Sequence, residues 1–114
     1  MLHIENLLEQ IEYGEKKPAI KILVDNDFSK EIRIVFKKGQ EMKEHKTSFP
    51  IVVEIVKGTI TFGVEGKPYE LKEGHLIALD PNIPHDLIAL EDSIVRLTLH
   101  KSDQVTRVMN VIKD

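Results

Sequence analysis

Short segments in which apolar and polar residues alternate, separated by turn residues, constrain the fold of this chain more than any other feature. Residues 31–37 place Ile32, Ile34 and Phe36 on one side. Because successive side chains of a strand point to opposite faces, this period of two predicts a strand with one buried face. Isoleucine and valine supply 24 of the 114 residues, and their β-branched side chains favour strands.

Turn residues recur every 8–12 positions and divide the chain into eight or nine short strands. One strand ends near His45, and the others cover residues 19–24, 31–37, 51–56, 59–64, 69–71, 75–79, 85–90 and 93–100. This spacing is typical of an antiparallel sandwich or barrel. We expect an all-β domain with the barrel at 19–100, an N-terminal segment at 1–18, and a tail at 101–114 that packs on the barrel or on a partner subunit.

The N-terminal segment has a helical rather than a strand-like pattern. Four apolar residues fall at the spacing of one helix face, namely Ile4, Leu7, Leu8 and Ile11. They predict a short helix over about residues 4–11. The alternative is a loop whose apolar residues dock individually.

The C-terminal tail allows two interpretations. In the first, which we prefer slightly, Ser102 caps a helix whose apolar face is formed by Val105, Val108, Met109 and Ile112. In the second, residues 107–112 form an edge strand.

Composition excludes several classes of function. The net charge is −3 with no run of Lys and Arg, so nucleic acid is not an expected partner. No apolar stretch approaches the roughly 20 residues that span a bilayer, and the first residues lack the apolar core of a signal peptide. The absence of Cys excludes disulfides and thiolate chemistry. We expect a cytoplasmic protein with no membrane association.

His45 and His85 are the strongest candidates for a functional site. His45 lies near the end of a strand, and His85 follows the stiff corner at residues 80–84 and opens the next strand. Both lie at strand ends among apolar neighbours, where they can point into a barrel mouth. Imidazole is the commonest metal ligand in proteins. The alternative is that both are pocket-lining or partly buried histidines that bond to their neighbours.

Two segments resemble the paired motifs of the cupin family, in particular small bacterial RmlC-like cupins. In residues 39–58, Gly39, His45 and Gly58 match the first motif, and in residues 74–89, Gly74 and His85 match the second. The resemblance covers about residues 19–100 and implies a jelly-roll barrel, also called a double-stranded β-helix. It also implies a homodimer.

The ligand set that the resemblance implies is incomplete. The family holds a metal with two His and one Glu from the first motif and one His from the second. Here Thr47 stands at the second His position and Ile51 at the Glu position. His45 and His85 are therefore the remaining candidate ligands for a divalent metal ion (Fe, Ni, Zn or Mn), with Thr47 and Ile51 lining the pocket.

Three functions follow, and the residues do not establish whether the protein is an enzyme. The first is binding of a small molecule in the barrel interior. The second is a metal-dependent enzyme of dioxygenase or isomerase type that uses His45 and His85. The third is an effector-sensing module, which would need a separate DNA-binding partner. A homodimer is also expected because Val52 and Val56 lie opposite the barrel-filling face of their strand and need a second cover.

Overall fold

A computed structural model describes residues 2–112 of the chain, and within them it has nine strands and one helix. They are β1 (Ala19–Asp25), β2 (Ser29–Phe36), β3 (Glu41–His45), β4 (Ile51–Lys57), β5 (Thr59–Val64), β6 (Lys67–Lys72), β7 (Leu76–Leu79), β8 (His85–Ala89), β9 (Ser93–His100) and α1 (Val105–Val111). All strand pairs are antiparallel, in two sheets with the orders β1-β2-β9-β4-β7 and β3-β8-β5-β6. The predicted all-β jelly-roll barrel is confirmed.

The core lies between the two sheets and is built from alternate residues of their strands. Ile32, Ile34 and Phe36 of β2 are buried in it. Ile34 lies opposite Val95 of β9, which in turn lies opposite Ile55 of β4. Directly paired residues share a face of the sheet, so the period of two along each strand becomes one continuous apolar layer.

The predicted helix over residues 4–11 is wrong, because this segment forms a turn within irregular backbone. The Asn6 side chain accepts a hydrogen bond of 2.8 Å from the Leu8 backbone N–H, and Gln10 has a φ of 52°. A side-chain acceptor of this kind competes with helical hydrogen bonding, and the left-handed residue interrupts a helix. Helices of this length are also marginal without tertiary packing, and Ile4 is 82% exposed.

A buried arginine fixes this N-terminal segment to the outer face of the larger sheet. Arg33 of β2 is 4% exposed, and its guanidinium donates to the backbone carbonyls of Glu9 at 2.7 Å and Gln10 at 3.2 Å. Its Nε is buried and has no hydrogen-bond partner among residues 2–112. The carbonyls that a helix would use internally therefore bind a side chain from the barrel.

The helix interpretation of the tail is confirmed, although Ser102 is not its cap. Within the described residues the N-cap is Gln104, which makes no side-chain capping hydrogen bond, and the turn before it is closed by a bond of 2.9 Å from the Asp103 N–H to the His100 carbonyl. Val108 is buried against the barrel core, whereas Met109, predicted on the same face, is 53% exposed. Residues 107–112 do not form the alternative edge strand.

No helix in the described part of the chain is long and apolar enough to cross a membrane.

The outer face of the larger sheet carries a charged network beside apolar residues. Arg96 of β9 donates to Glu54 at 2.9 Å and to Glu31 at 3.0 Å. Val56 lines a cleft together with N-terminal residues, so part of this face is covered by the chain itself. Val52 is half-buried at the same face.

Candidate functional site

His45 and His85 lie directly opposite each other where β3 pairs with β8. Their ring centroids are 4.2 Å apart, and the ring planes are tilted by 59°. The structure therefore brings together the two histidines that the sequence singled out. His85 is 3% exposed, and His45 is partly buried.

A β-bulge turns His45 into the barrel. Met42 faces the interior and pairs with Leu87, while His45 pairs with His85, so three steps along β3 match two steps along β8. Without the extra residue, strict alternation from Met42 would place Glu44 inside and His45 outside. Bulges re-aim side chains in this way beside functional sites.

Backbone carbonyls fix the tautomer of both rings. The Nδ1 of His45 lies 2.7 Å from the carbonyl oxygen of Lys43, and the Nδ1 of His85 lies 2.9 Å from that of Ile83. A carbonyl oxygen only accepts hydrogen bonds, so Nδ1 carries the proton in each ring. The neutral rings then present the Nε2 lone pairs as acceptors.

Both rings are neutral at pH 7. Burial, with smaller contributions from the neighbouring His85 and Arg107, lowers the pKa of His45 to about 4 despite the opposing hydrogen bond to the Lys43 carbonyl. Burial also lowers the pKa of His85, with a further contribution from Arg107. The site therefore offers two unprotonated imidazoles rather than cations.

The space beside the two rings is small and mostly apolar. The ring of Phe62 stacks on His85 with centroids 5.7 Å apart and planes within 6°. The cavity has a volume of about 20 Å³, room for about one water molecule. Its walls combine aliphatic side chains of both sheets with residues of α1, namely Ile34, Met42, Ile51, Val53, Leu87, Val95, Leu97, Arg107 and Val108.

A buried polar cluster holds α1 against this end of the barrel. Asp103 is 3% exposed and accepts from Thr47 Oγ1 at 3.1 Å and from Arg107 Nε and Nη2 at 2.9 and 2.8 Å. Lys30 Nζ donates to the Asp103 backbone carbonyl at 2.7 Å. Burial opposes ionisation of Asp103, but hydrogen bonds from Arg107, the Gln104 N–H and Thr47 outweigh it, so the pKa of this carboxyl is lowered.

Of the two predicted pocket residues, Ile51 lines the cavity and Thr47 does not. Ile51 lines the cavity and is 4% exposed. Thr47 is buried outside the cavity wall, where its hydroxyl binds Asp103 instead of facing the two histidines. Thr47 stands where the motif resembled by residues 39–58 has its second histidine. In this chain the residue at that position therefore anchors the C-terminal segment through Asp103.

The residues around the two histidines do not fit a resident divalent metal ion. Two Nε2 atoms are available, but Ile51 offers no donor atom and the Thr47 hydroxyl is engaged by Asp103. Within residues 2–112 no group of three or more His, Asp or Glu side chains could hold a metal. Arg107, a cation, lines the cavity. Sites for first-row metals usually provide three or more protein ligands.

The other histidines lie away from this site. His3 and His75 are exposed, and His75 accepts a hydrogen bond from the Lys72 backbone N–H at 2.8 Å. His100 is exposed and stacks on Phe49 with centroids 5.0 Å apart. None of these three side chains lines the cavity beside His45 and His85 in the described part of the chain.

Sequence reasoning missed Asp103 and Arg107. Their spacing of four residues is that of an ion pair on a helix, and this local signal was available. The contact of that pair with Thr47 could not be predicted from local pattern, because 56 residues separate Thr47 from Asp103.

Comparison with known proteins agrees with this architecture. The cupin domain family model matches residues 32–100. An RmlC-like cupin from Desulfovibrio desulfuricans superposes with a TM-score of 0.82 at 20% identity, covering 89% of this chain and 98% of that one. KdgF from Halomonas sp. has a TM-score of 0.76 at 17% identity, covering 93% and 97%.

A cupin 2 conserved barrel domain protein from Leptotrichia buccalis has a TM-score of 0.75 at 33% identity, covering 85% of this chain and 47% of that one. No curated protein sequence matches the chain. The family model spans more than half of the chain and includes both His45 and His85. The protein is therefore a member of the cupin family.

Proposed function

We propose that this protein binds a small polar organic molecule at the His45–His85 end of the barrel, without a resident metal ion. The observation that carries the proposal is that Nδ1 of each ring lies at hydrogen-bonding distance from a backbone carbonyl, while Nε2 has no hydrogen-bond partner within residues 2–112. Binding sites for small molecules combine apolar walls with a few convergent polar groups. The paired Nε2 atoms are such groups, and Phe62 and Ile51 supply apolar wall.

The bound molecule donates hydrogen bonds to the two rings. A neutral imidazole whose Nδ1 proton is already used has only an acceptor left at Nε2. Because the ring centroids are 4.2 Å apart, adjacent donors of one small molecule can serve both rings. The stacking of Phe62 on His85 and the carbonyl bonds hold the rings in orientation before the molecule arrives.

Access requires a movement, because the cavity of about 20 Å³ holds about one water molecule. The walls contributed by the two sheets are secured by strand pairing. The wall contributed by Val108 and Arg107 belongs to α1, which lies in neither sheet. Displacement of α1 is therefore the route by which the cavity enlarges.

Nitrogen NMR of the imidazoles tests the proposal directly. We would titrate ¹⁵N-labelled protein with glycerate, propionate, glycerol and ethanolamine, and follow the Nε2 resonances of His45 and His85. At least one of these probes is expected to shift both resonances, and the shift at the remaining ring is expected to vanish in His45→Ala and in His85→Ala. His3→Ala removes an exposed histidine and is the matched control. Unchanged Nε2 resonances with all four probes at tens of millimolar would contradict the proposal.

A further inference from the structure

Arg107 contributes the one formal charge among the described residues that line the cavity. Its Nε and Nη2 donate to Asp103, and its Nη1 has no hydrogen-bond partner within residues 2–112. Two N–H groups of the guanidinium therefore have no partner among these residues, on a side chain that lines the same cavity as the two imidazoles. A carboxylate accepts from such donors in a charge-assisted hydrogen bond.

The donors and acceptors together define the chemistry of the molecule that fits. The Nε2 atoms of His45 and His85 only accept, so the molecule supplies donors to them. An ammonium group would supply donors but is repelled by the Arg107 guanidinium. Hydroxyl groups supply donors without charge. The complementary molecule therefore carries a carboxylate for Arg107 and at least one hydroxyl group for the imidazoles.

Helix α1 both carries Arg107 and closes the cavity. Val108 is 1% exposed and Ile112 is 8% exposed, so the apolar side of α1 seals this end of the barrel. The seal is latched at Asp103, which binds Thr47 through its carboxylate and Lys30 through its carbonyl. Because α1 belongs to neither sheet, it can move without breaking a strand pair.

We propose that the site binds a small hydroxycarboxylate, with the carboxylate on Arg107 and a hydroxyl on His45 and His85, and that α1 opens to admit it. The inference rests on the proposed function above and names its ligand class. The Asp103 carboxylate already binds Nε and Nη2 of Arg107, so its negative charge opposes the incoming carboxylate. Its hydrogen bond from Thr47 keeps α1 closed over the cavity when no ligand is bound.

Three of the probes test the carboxylate and the hydroxyl groups of the ligand separately. Glycerate has the carboxylate and the hydroxyls, propionate lacks the hydroxyls, and glycerol lacks the carboxylate. Glycerate is expected to bind at least about tenfold more tightly than either, as measured by the Nε2 shifts. If glycerol binds at the two rings as tightly as glycerate, the proposed function stands and the hydroxycarboxylate inference is wrong. If no probe reaches the rings, both fail.

Two variants test the effect of the Arg107 charge on binding separately from the opening of α1. Asp103→Asn weakens the latch and removes the competing charge, so glycerate is expected to bind several-fold more tightly than in the unmodified protein. The double variant Asp103→Asn with Arg107→Gln weakens the same contact between Thr47 and residue 103. It also removes the Arg107 charge without leaving an unpaired carboxylate. In it, glycerate is expected to bind no better than glycerol.

The control for the loss of a cation is Lys21→Gln on β1, where Lys21 is exposed. This variant is expected to keep the preference for glycerate over glycerol. Circular dichroism would establish that the barrel of each variant is folded. Weaker glycerate binding in Asp103→Asn, or a preference for glycerate that survives in the double variant, would overturn the inference.

Discussion

The hydroxyl of Thr47 donates a hydrogen bond of 3.1 Å to the carboxylate of Asp103, and both side chains are buried. This bond joins the end of the barrel that contains His45 and His85 to the segment that enters α1. Together with the hydrogen bond from Lys30 to the Asp103 carbonyl, it ties the start of α1 to the barrel.

Thr47→Val is expected to destabilise the closed state by about 1–3 kcal/mol, because a buried carboxylate loses one of its partners. Since α1 is the element released, the change should appear as faster hydrogen exchange of amides in residues 105–111 before the sheets are affected. The matched control is Thr61→Val on β5, where the threonine is half-buried and lies outside this cluster. Equal exchange rates of α1 in Thr47→Val and in the unmodified protein would refute the latch.

Stability is expected to fall on acidification. The folded protein holds the pKa of His45 at about 4, below its ordinary value of 6.5, and lowers that of His85 in the same direction. The unfolded chain therefore binds more protons as the pH falls from 6.5 towards 4, and the free energy of unfolding decreases across this window. Urea unfolding at several pH values between 7 and 5 measures the slope.

The slope should be smaller in His45→Gln, which removes one of the two titrating rings. The matched control is His3→Gln, which changes an exposed histidine away from the buried pair. A free energy of unfolding that stays constant between pH 6.5 and 5 would contradict the neutral, buried pair.

Purified protein is expected to retain no stoichiometric metal. His45 and His85 provide two nitrogen ligands, and the nearby Arg107 guanidinium repels a dication. Elemental analysis after incubation with Fe, Ni, Zn or Mn and desalting measures the content. About one metal ion per chain, lost when both histidines are changed to Ala, would show that the site is a metal centre.

Arg33→Met is expected to release the N-terminal segment from the sheet. The guanidinium satisfies the carbonyls of Glu9 and Gln10, and a thioether cannot donate to them. Limited proteolysis should then cut within residues 7–12 faster than in the unmodified protein, while residues 19–100 stay resistant. Lys21→Met, at the exposed position opposite Arg33 on β1, is the control. Unchanged cleavage in Arg33→Met would show that other contacts hold the segment.

We propose a homodimer formed through the part of the larger sheet that the N-terminal segment leaves open. Leu76 of β7 is 62% exposed and lies opposite Glu54 on this face, and Val52 lies nearby on β4. Val52→Lys should give a monomer in size-exclusion chromatography with light scattering. Phe28→Lys, at an exposed turn, should not change the mass. A monomeric unmodified protein at micromolar concentration would refute the dimer.

Much of the barrel could be predicted from local pattern. The alternation of Ile32, Ile34 and Phe36 required only that neighbouring residues of a strand point to opposite faces, and these residues are buried as expected. The N-terminal segment shows where this reasoning failed. Its helical spacing was overridden by the Asn6 turn and by Arg33, which is 24 residues from Glu9 along the chain.

The sequence by itself determined the strands, their buried faces and the two candidate histidines, because these depend on the period and on the type of neighbouring residues. Only the tertiary structure decided that a bulge in β3 turns His45 inward to meet His85. It also decided that Thr47 donates a hydrogen bond to Asp103 and that Arg107, four residues further on, lines the cavity. Register and docking join residues far apart in the chain, and their energies depend on packing that no local pattern contains.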